Sequence, residues 1–148
     1  MKVAIANDHA GVEYKNILKK FLEDMGFEII DFGTNDSASV DYPDYAGKVA
    51  RAVQRGEAER GILICGTGVG MSIAANKYKG IRASLCGDTY TAEMTRRHND
   101  SNILVMGARV IGVEIMLSIA RVYFTTGFDG GRHLKRIEKI ESDPLNED

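Results

Sequence analysis

The sequence predicts an α/β protein, a doubly wound parallel sheet with helices on both faces. Three observations predict it. Short apolar runs alternate about five times with segments of helical periodicity, as successive right-handed strand–helix–strand crossovers require. The third run, Gly61 to Ile64, is continuously apolar, as in a strand buried on both faces, and it stops at Cys65-Gly66-Thr67-Gly68-Val69-Gly70-Met71-Ser72. Polar residues follow the first, third and fifth strands, and short loops at that edge of an open sheet bring such residues together into a pocket.

Lys2 to Asn7 is the first predicted strand, with Asp8-His9-Ala10-Gly11 at its carboxyl end. Tyr14, Ile17, Leu18, Phe21, Leu22 and Met25 then recur at helical spacing, and Gly26 stands where a left-handed cap closes a helix. Phe27 to Phe32 reads as the second strand and Gly33 to Ser37 as a polar loop. Asp41-Tyr42-Pro43-Asp44 leads into a helix carrying Ala46, Val49, Ala50 and Val53, which Gly56 ends. The helix after the Cys65 turn is expected to face Met71, Ile73, Ala74 and Tyr78 inward. Arg82 to Cys86 makes the fourth strand, and Asp88 caps a helix through Arg97, with His98-Asn99-Asp100 just beyond it. Asn102 to Met106 is the fifth strand, followed by Gly107-Ala108-Arg109. Val113, Met116, Leu117, Ala120, Tyr123 and Phe124 trace a long helix face. A last helix of about 132–141 combines Leu134, Ile137 and Ile140 with Arg132, Lys135, Arg136 and Lys139, so it has a packing edge and a basic edge.

The 148 residues read as one domain, 1–148, large enough for a core without disulfides or metals. A formal net charge of -2 carries no global footprint for nucleic acid, so any basic site is local. Cys65 and Cys86 lack the spacing of a zinc or redox pair. So few cysteines and the lack of a signal-like N-terminus indicate a cytoplasmic protein with reduced thiols. No apolar run approaches the roughly 18 residues of a membrane span.

Chemistry is expected at the Cys65 turn. A Gly-rich passage from strand to helix presents backbone N–H groups and a positive helix end, a combination that prefers an anion. A thiol there can serve as nucleophile or base, and a buried structural cysteine before a tight turn is the other reading. The glycines are a poor dinucleotide fingerprint, because they follow the third strand while the first ends in Asn7-Asp8-His9-Ala10-Gly11. No Gly-Lys-Ser/Thr is present for a nucleoside-triphosphate loop, and a phosphoacceptor domain would need an aspartate where Cys65 stands. His9, His98 and His133 form no i, i+4 pair, so a zinc site would have to be assembled by tertiary structure. His98 is either an acid/base group or a solvated helix-end residue favoured by the dipole. His133 reads as surface and Cys86 as core. Arg132 and Arg136 share a helix face that can grip a phosphate or simply be solvated, and Arg109 follows the fifth strand on the site side.

Taken together, Asn7 to Gly11, Asp41 to Asp44, Cys65 to Ser72, Arg97-His98-Asn99-Asp100 and Gly107-Ala108-Arg109 resemble the type B ribose-5-phosphate isomerases, in one register over nearly the whole chain. The wider family also includes allose-6-phosphate and galactose-6-phosphate isomerases. The resemblance implies a Rossmann-like three-layer α/β/α sandwich with a mainly parallel five-stranded sheet. It also implies a reversible aldose–ketose isomerisation of D-ribose 5-phosphate to D-ribulose 5-phosphate, without metal or cofactor, through a cis-enediolate. Carried over residue by residue, Cys65 is the proton-transferring base and His98 the acid that helps open the furanose; Thr67, by its place beside the thiol, can donate a further hydrogen bond. Asp8, His9, Gly66, Thr67, Gly68, Val69, Gly70, Asn99, Arg109, Arg132 and Arg136 match substrate-binding positions, the arginines chiefly for the phosphate. The partners implied are a small-molecule sugar phosphate and a second copy of the chain, in a homodimer or a tetramer with sites at the subunit interface. His98 and Asn99 would then reach the neighbour's pocket, and the C-terminal helix would pack on or across the dimer.

Overall fold

The computed structural model describes residues 1–142. Its strands are β1 (Lys2–Asn7), β2 (Glu28–Asp31), β3 (Arg60–Cys65), β4 (Ala83–Leu85) and β5 (Ile103–Gly107). Its helices are α1 (Val12–Asp24), α2 (Tyr42–Gln54), α3 (Val69–Ala75), α4 (Thr89–Asn99), α5 (Val113–Thr125) and α6 (Arg132–Glu141). The five strands form one sheet in the order β2-β1-β3-β5-β4, and each of the pairings is parallel.

Alternation along the strands divides the interior into two layers. Val3 and Ile5 of β1, Ile62 and Ile64 of β3, and Leu104 and Met106 of β5 face Leu18 and Leu22 of α1, Ala92 of α4, and Met116, Ile119 and Tyr123 of α5. Ala4 and Ala6, Leu63 and Cys65, and Ile103 and Val105 face Ala46, Val49 and Ala50 of α2 and Met71 and Ala75 of α3. The small alanines of β1 let α2 lie close to the sheet. The result is the expected α/β/α sandwich, and its sheet is parallel throughout.

Local chemistry sets the helix ends. Gly26 and Gly56 adopt left-handed φ values of 91° and 73° just beyond α1 and α2. Asp88 caps α4 by accepting from the amide of Thr91 at 2.6 Å. Two expectations need correction. Helix α3 is only seven residues long and turns Met71 and Ala75, four apart, toward the sheet, which leaves Ile73 off that face and 59% exposed. Helix α4 runs on through His98 to Asn99 and is ended by Asp100, whose φ of 44° is left-handed.

Lys15 of α1 is fully buried, and its ammonium donates to Asp31 at 3.0 Å and to Asn35 at 2.9 Å. Burial opposes the charge on Asp31. The hydrogen bonds from Lys15 and the Gly33 amide, with the charges of Lys15 and Lys19, outweigh it and hold the carboxyl below its ordinary value. A carboxyl depressed on folding adds stability that is present above its unfolded pKa and lost as pH falls through the folded one. Acid unfolding followed by circular dichroism should therefore steepen below about pH 4. Asp31→Asn should flatten that limb and, by stranding Lys15, cost about 3 kcal/mol at neutral pH.

Candidate active site

The crossover that leaves β1 runs to β2 and the one that leaves β3 runs the opposite way to β4, so the sheet has its switch point between β1 and β3. Asn7 of β1 is in register with Ile64, and the amide of Asp8 donates to the Ile64 carbonyl at 3.1 Å. Asp8 and Cys65 thus leave the sheet side by side. Asp8 is 6% exposed and accepts from the amide of Ala10 at 2.9 Å, which fixes the turn that carries His9. The Nδ1 of His9 in turn accepts from the amide of Val40 at 3.3 Å. Asn7, absent from the sequence-based site, is fully buried and ties the 33–41 loop down: its side-chain oxygen accepts from the Thr34 amide, and its nitrogen donates to the Thr34 carbonyl at 3.0 Å.

The Cys65 loop is held by backbone on both sides. Cys65 pairs with Gly107 at the end of β5, its carbonyl accepts from Ala108, and the Gly66 carbonyl accepts from Arg109, both at 2.9 Å. Gly68 takes a φ of 82°, and a Cβ added there would meet Leu85 and the Met106 carbonyl carbon at 2.5 and 3.0 Å. The turn aims the Gly68 amide at Sγ of Cys65, 3.1 Å away, an N–H contact that sulfur accepts best as thiolate. The Val69 amide goes to Oγ1 of Thr67 at 3.2 Å, so the Thr67 hydroxyl accepts from the loop and keeps its own proton for a further bond. The guanidinium of Arg109 lies over Gly66, and the ring of Tyr42 lies against Gly70. Tyr42 has no role legible in the sequence; only the fold shows that its ring borders the loop. Cys65 is 4% exposed. The other thiol, Cys86, is core, and burial followed by the charge of Asp88 pushes it up to about 12.

His98, Asn99, Arg132 and Arg136 are elsewhere. Helix α4 starts beyond the carboxyl end of β4 and runs antiparallel to the sheet, so its last turn returns to the amino edge, where Asn99 and Asp100 meet Arg82 just before β4. Their rise along α4 is about 15 Å. There His98 stacks on His133 with ring centroids 4.4 Å apart and planes 14° from parallel. His133 is therefore buried, contrary to the surface position expected of it, because α6 packs against the end of α4. Burial, then the neighbouring His98, Arg132 and Arg136, hold its imidazole below the ordinary value. Arg132 and Arg136 flank it in an exposed basic cleft with Lys135 and Lys139. His98, His133 and Asp129 bring possible metal-ligand atoms within 4.8 Å of one another. Their geometry is poor for an ion: the stacked ring planes send their lone pairs side by side, and the Asp129 carboxylate is engaged by Arg97 at 3.2 and 3.3 Å. A cleft of about 510 Å³ opens at this same edge between Tyr78, Arg82, Asn99 and Ile140, whereas a smaller one of about 250 Å³ adjoins Thr67 and Gly107.

The chain thus carries two clusters at opposite edges of its sheet: a thiol in an amide-lined turn beside Asp8, His9 and Arg109, and an imidazole pair beside two arginines. The first can move a proton and hold an anion; the second can donate a proton and hold a phosphate. Comparison with known proteins matches residues 3–140 to the profile of the family described as Ribose/Galactose Isomerase. The chain is 48% identical over 139 residues to ribose-5-phosphate isomerase B of Escherichia coli, covering 94% of this chain and 93% of that one. It superimposes on ribose-5-phosphate isomerase B of Clostridium thermocellum with a TM-score of 0.94 at 52% identity, over 95% of each chain. The Mycoplasma genitalium enzyme, solved with bound ribulose-5-phosphate, gives a TM-score of 0.91 at 39% identity over 95% of this chain and 93% of that one.

The backbone approach behind the loop can be tested without any substrate. A Cβ on Gly107 would lie 2.5 Å from the carbonyl oxygen of Thr67. Gly107→Ala should destabilise the protein by about 1–3 kcal/mol and displace the loop, so that iodoacetamide alkylates Cys65 several-fold faster. Mass spectrometry after peptide digestion should find the adduct on Cys65 and not on Cys86.

Proposed function

Because this chain belongs to the ribose/galactose isomerase family, we propose that it interconverts D-ribose 5-phosphate and D-ribulose 5-phosphate in the cytoplasm. The observation that carries the reading is Cys65, fixed by backbone at the β1/β3 switch point with the Gly68 amide on its sulfur. A base that carries a proton between adjacent carbons must stay over both, and a strand end holds it there better than a flexible side chain. In the reaction the C2–H bond of the open aldose breaks and its proton passes to Sγ. The cis-enediolate then takes that proton at C1, while another moves from O2 to O1. The Thr67 hydroxyl and the first-turn amides of α3 beyond Val69 serve the developing negative oxygen, and in a well-studied protease one such donor is worth about 2.7–4 kcal/mol.

His98 supplies the proton that opens the furanose, and Arg109, Arg132 and Arg136 hold the phosphate with His9 and Asn99 beside them. In one chain His98 and Cys65 are at opposite sheet edges, so the site is completed across a homodimer, each pocket taking Cys65 from one subunit and His98 from the other. Supporting this arrangement, Tyr42, Val69, Ile73, Leu85, Tyr90 and Val110 leave apolar surface exposed on and around the elements that frame the Cys65 loop. A pentose and a hexose phosphate differ by one hydroxymethyl unit, and a methylene-sized difference is worth roughly 1–3 kcal/mol. The ratio of kcat/KM for ribose 5-phosphate and allose 6-phosphate therefore assigns the sugar.

Purified protein with ribose 5-phosphate and no added metal or nucleotide should form the ketose; no turnover at high enzyme concentration overturns the reading. Cys65→Ala should abolish isomerisation and leave sugar-phosphate binding within a few-fold, since it removes a base and no phosphate contact. His98→Asn separates the two roles. Ribulose 5-phosphate cannot close a furanose, because its 5-hydroxyl is esterified, so this variant should lose ribose 5-phosphate turnover while still exchanging deuterium from solvent into C1 of ribulose 5-phosphate. Loss of both activities together would place His98 in the proton transfer itself.

A further inference from the structure

Helices α4 and α6 carry His98, Asn99, Arg132 and Arg136, and a single side chain from neither helix fastens both. Arg82, in the turn before β4, has a side chain only 19% exposed. Its Nε donates to the carbonyl of Asn99 at 3.0 Å and its Nη2 to the carbonyl of Asp100 at 2.9 Å. These belong to the last turn of α4, where helix geometry leaves carbonyls without partners. Its Nη1 donates to Glu141 at 2.6 Å, on the final residue of α6. The base of the side chain is fixed as well: the Arg82 amide donates to Oδ1 of Asn102 at 2.8 Å, and its carbonyl accepts from Oγ of Ser101 at 2.9 Å. Beneath it, buried Arg96 holds Asp100 at 2.9 Å, so the left-handed residue that ends α4 is gripped from two sides. One planar fork therefore sets the end of the acid-bearing helix and, through Glu141, the helix that bears the phosphate-binding arginines.

We propose that Arg82 is a positioning residue for isomerisation, which holds His98 and the α6 arginines in one fixed relation through its bonds to Asn99, Asp100 and Glu141. The proposal rests on the isomerase reading above. A lysine would keep the charge but not the fork, since an ammonium cannot span two helix-end carbonyls and a carboxylate in one plane.

The test combines kinetics with a spectroscopic readout independent of turnover. Arg82→Lys and Arg82→Met should lower kcat for ribose 5-phosphate at least tenfold and raise KM. Glu141→Ala cuts only the α6 arm, so it should raise KM several-fold and leave kcat within twofold. In ¹³C-edited proton spectra of the three histidines, Arg82→Met should shift the His98 and His133 ring signals and leave His9 in place. Wild-type kcat in Arg82→Lys, or a Glu141→Ala variant as impaired in kcat as Arg82→Met, would overturn the proposal; so would histidine spectra coincident with wild type. Should the unaltered protein turn over no ribose 5-phosphate, the functional reading fails, and the histidine signals still decide whether Arg82 positions the two helices.

Discussion

The reversal of winding between β1 and β3 is the constraint on which the rest depends. Crossovers that leave in opposite directions cannot cover the space above two adjacent strand ends, so the chain has a gap there. Into it go Asp8 and Cys65, joined by the hydrogen bond from the Asp8 amide to Ile64. The close approach of Gly107 to Thr67 and the left-handed turn at Gly68 make the gap narrow enough for backbone to define the position of sulfur. Only χ1 of Cys65 is left to set, and the Gly68 amide on its sulfur sets it.

Parallel topology has a second effect. Each helix returns the chain to the amino edge, and a functional residue at a helix end is carried away from the edge where strand-end residues collect. His98 lies at such a helix end. It belongs to a separate assembly of stacked imidazoles, flanking arginines and a left-handed Asp100, braced by Arg82 and Arg96. The two assemblies use different means: one is backbone held by a sheet, the other side chains held by guanidinium forks.

Much of this was legible in the sequence because it rests on local rules. Gly26 and Gly56 mark helix ends by backbone freedom, Asp88 marks a start by its carboxylate, and the continuous apolar runs of β3 and β5 mark strands covered on both faces. The Cys65 loop was legible for the same reason, its glycines being consecutive in the chain. Failures came where neighbours are distant in sequence. Met71 and Ile73, two apart, cannot share a helix face, and only the fold shows that Met71 and Ala75 take the sheet side; His133 reads as solvated because its partner is on another helix. Asn7 and Arg82 carry no local sign of being organisers, since a buried amide spanning to Thr34 or a guanidinium spanning to Glu141 leaves no periodic trace.

The distance between the two clusters also bears on how the protein responds to dilution. On the proposed dimer a dissociated subunit would keep its fold and its thiol but lack an acid opposite that thiol, so each separation event would silence two sites at once. Catalytic capacity would then follow the mass-action law of association as well as the number of molecules. Specific activity would become a function of protein concentration, and saturating sugar phosphate, by bridging groups from both chains, would draw the subunits back together.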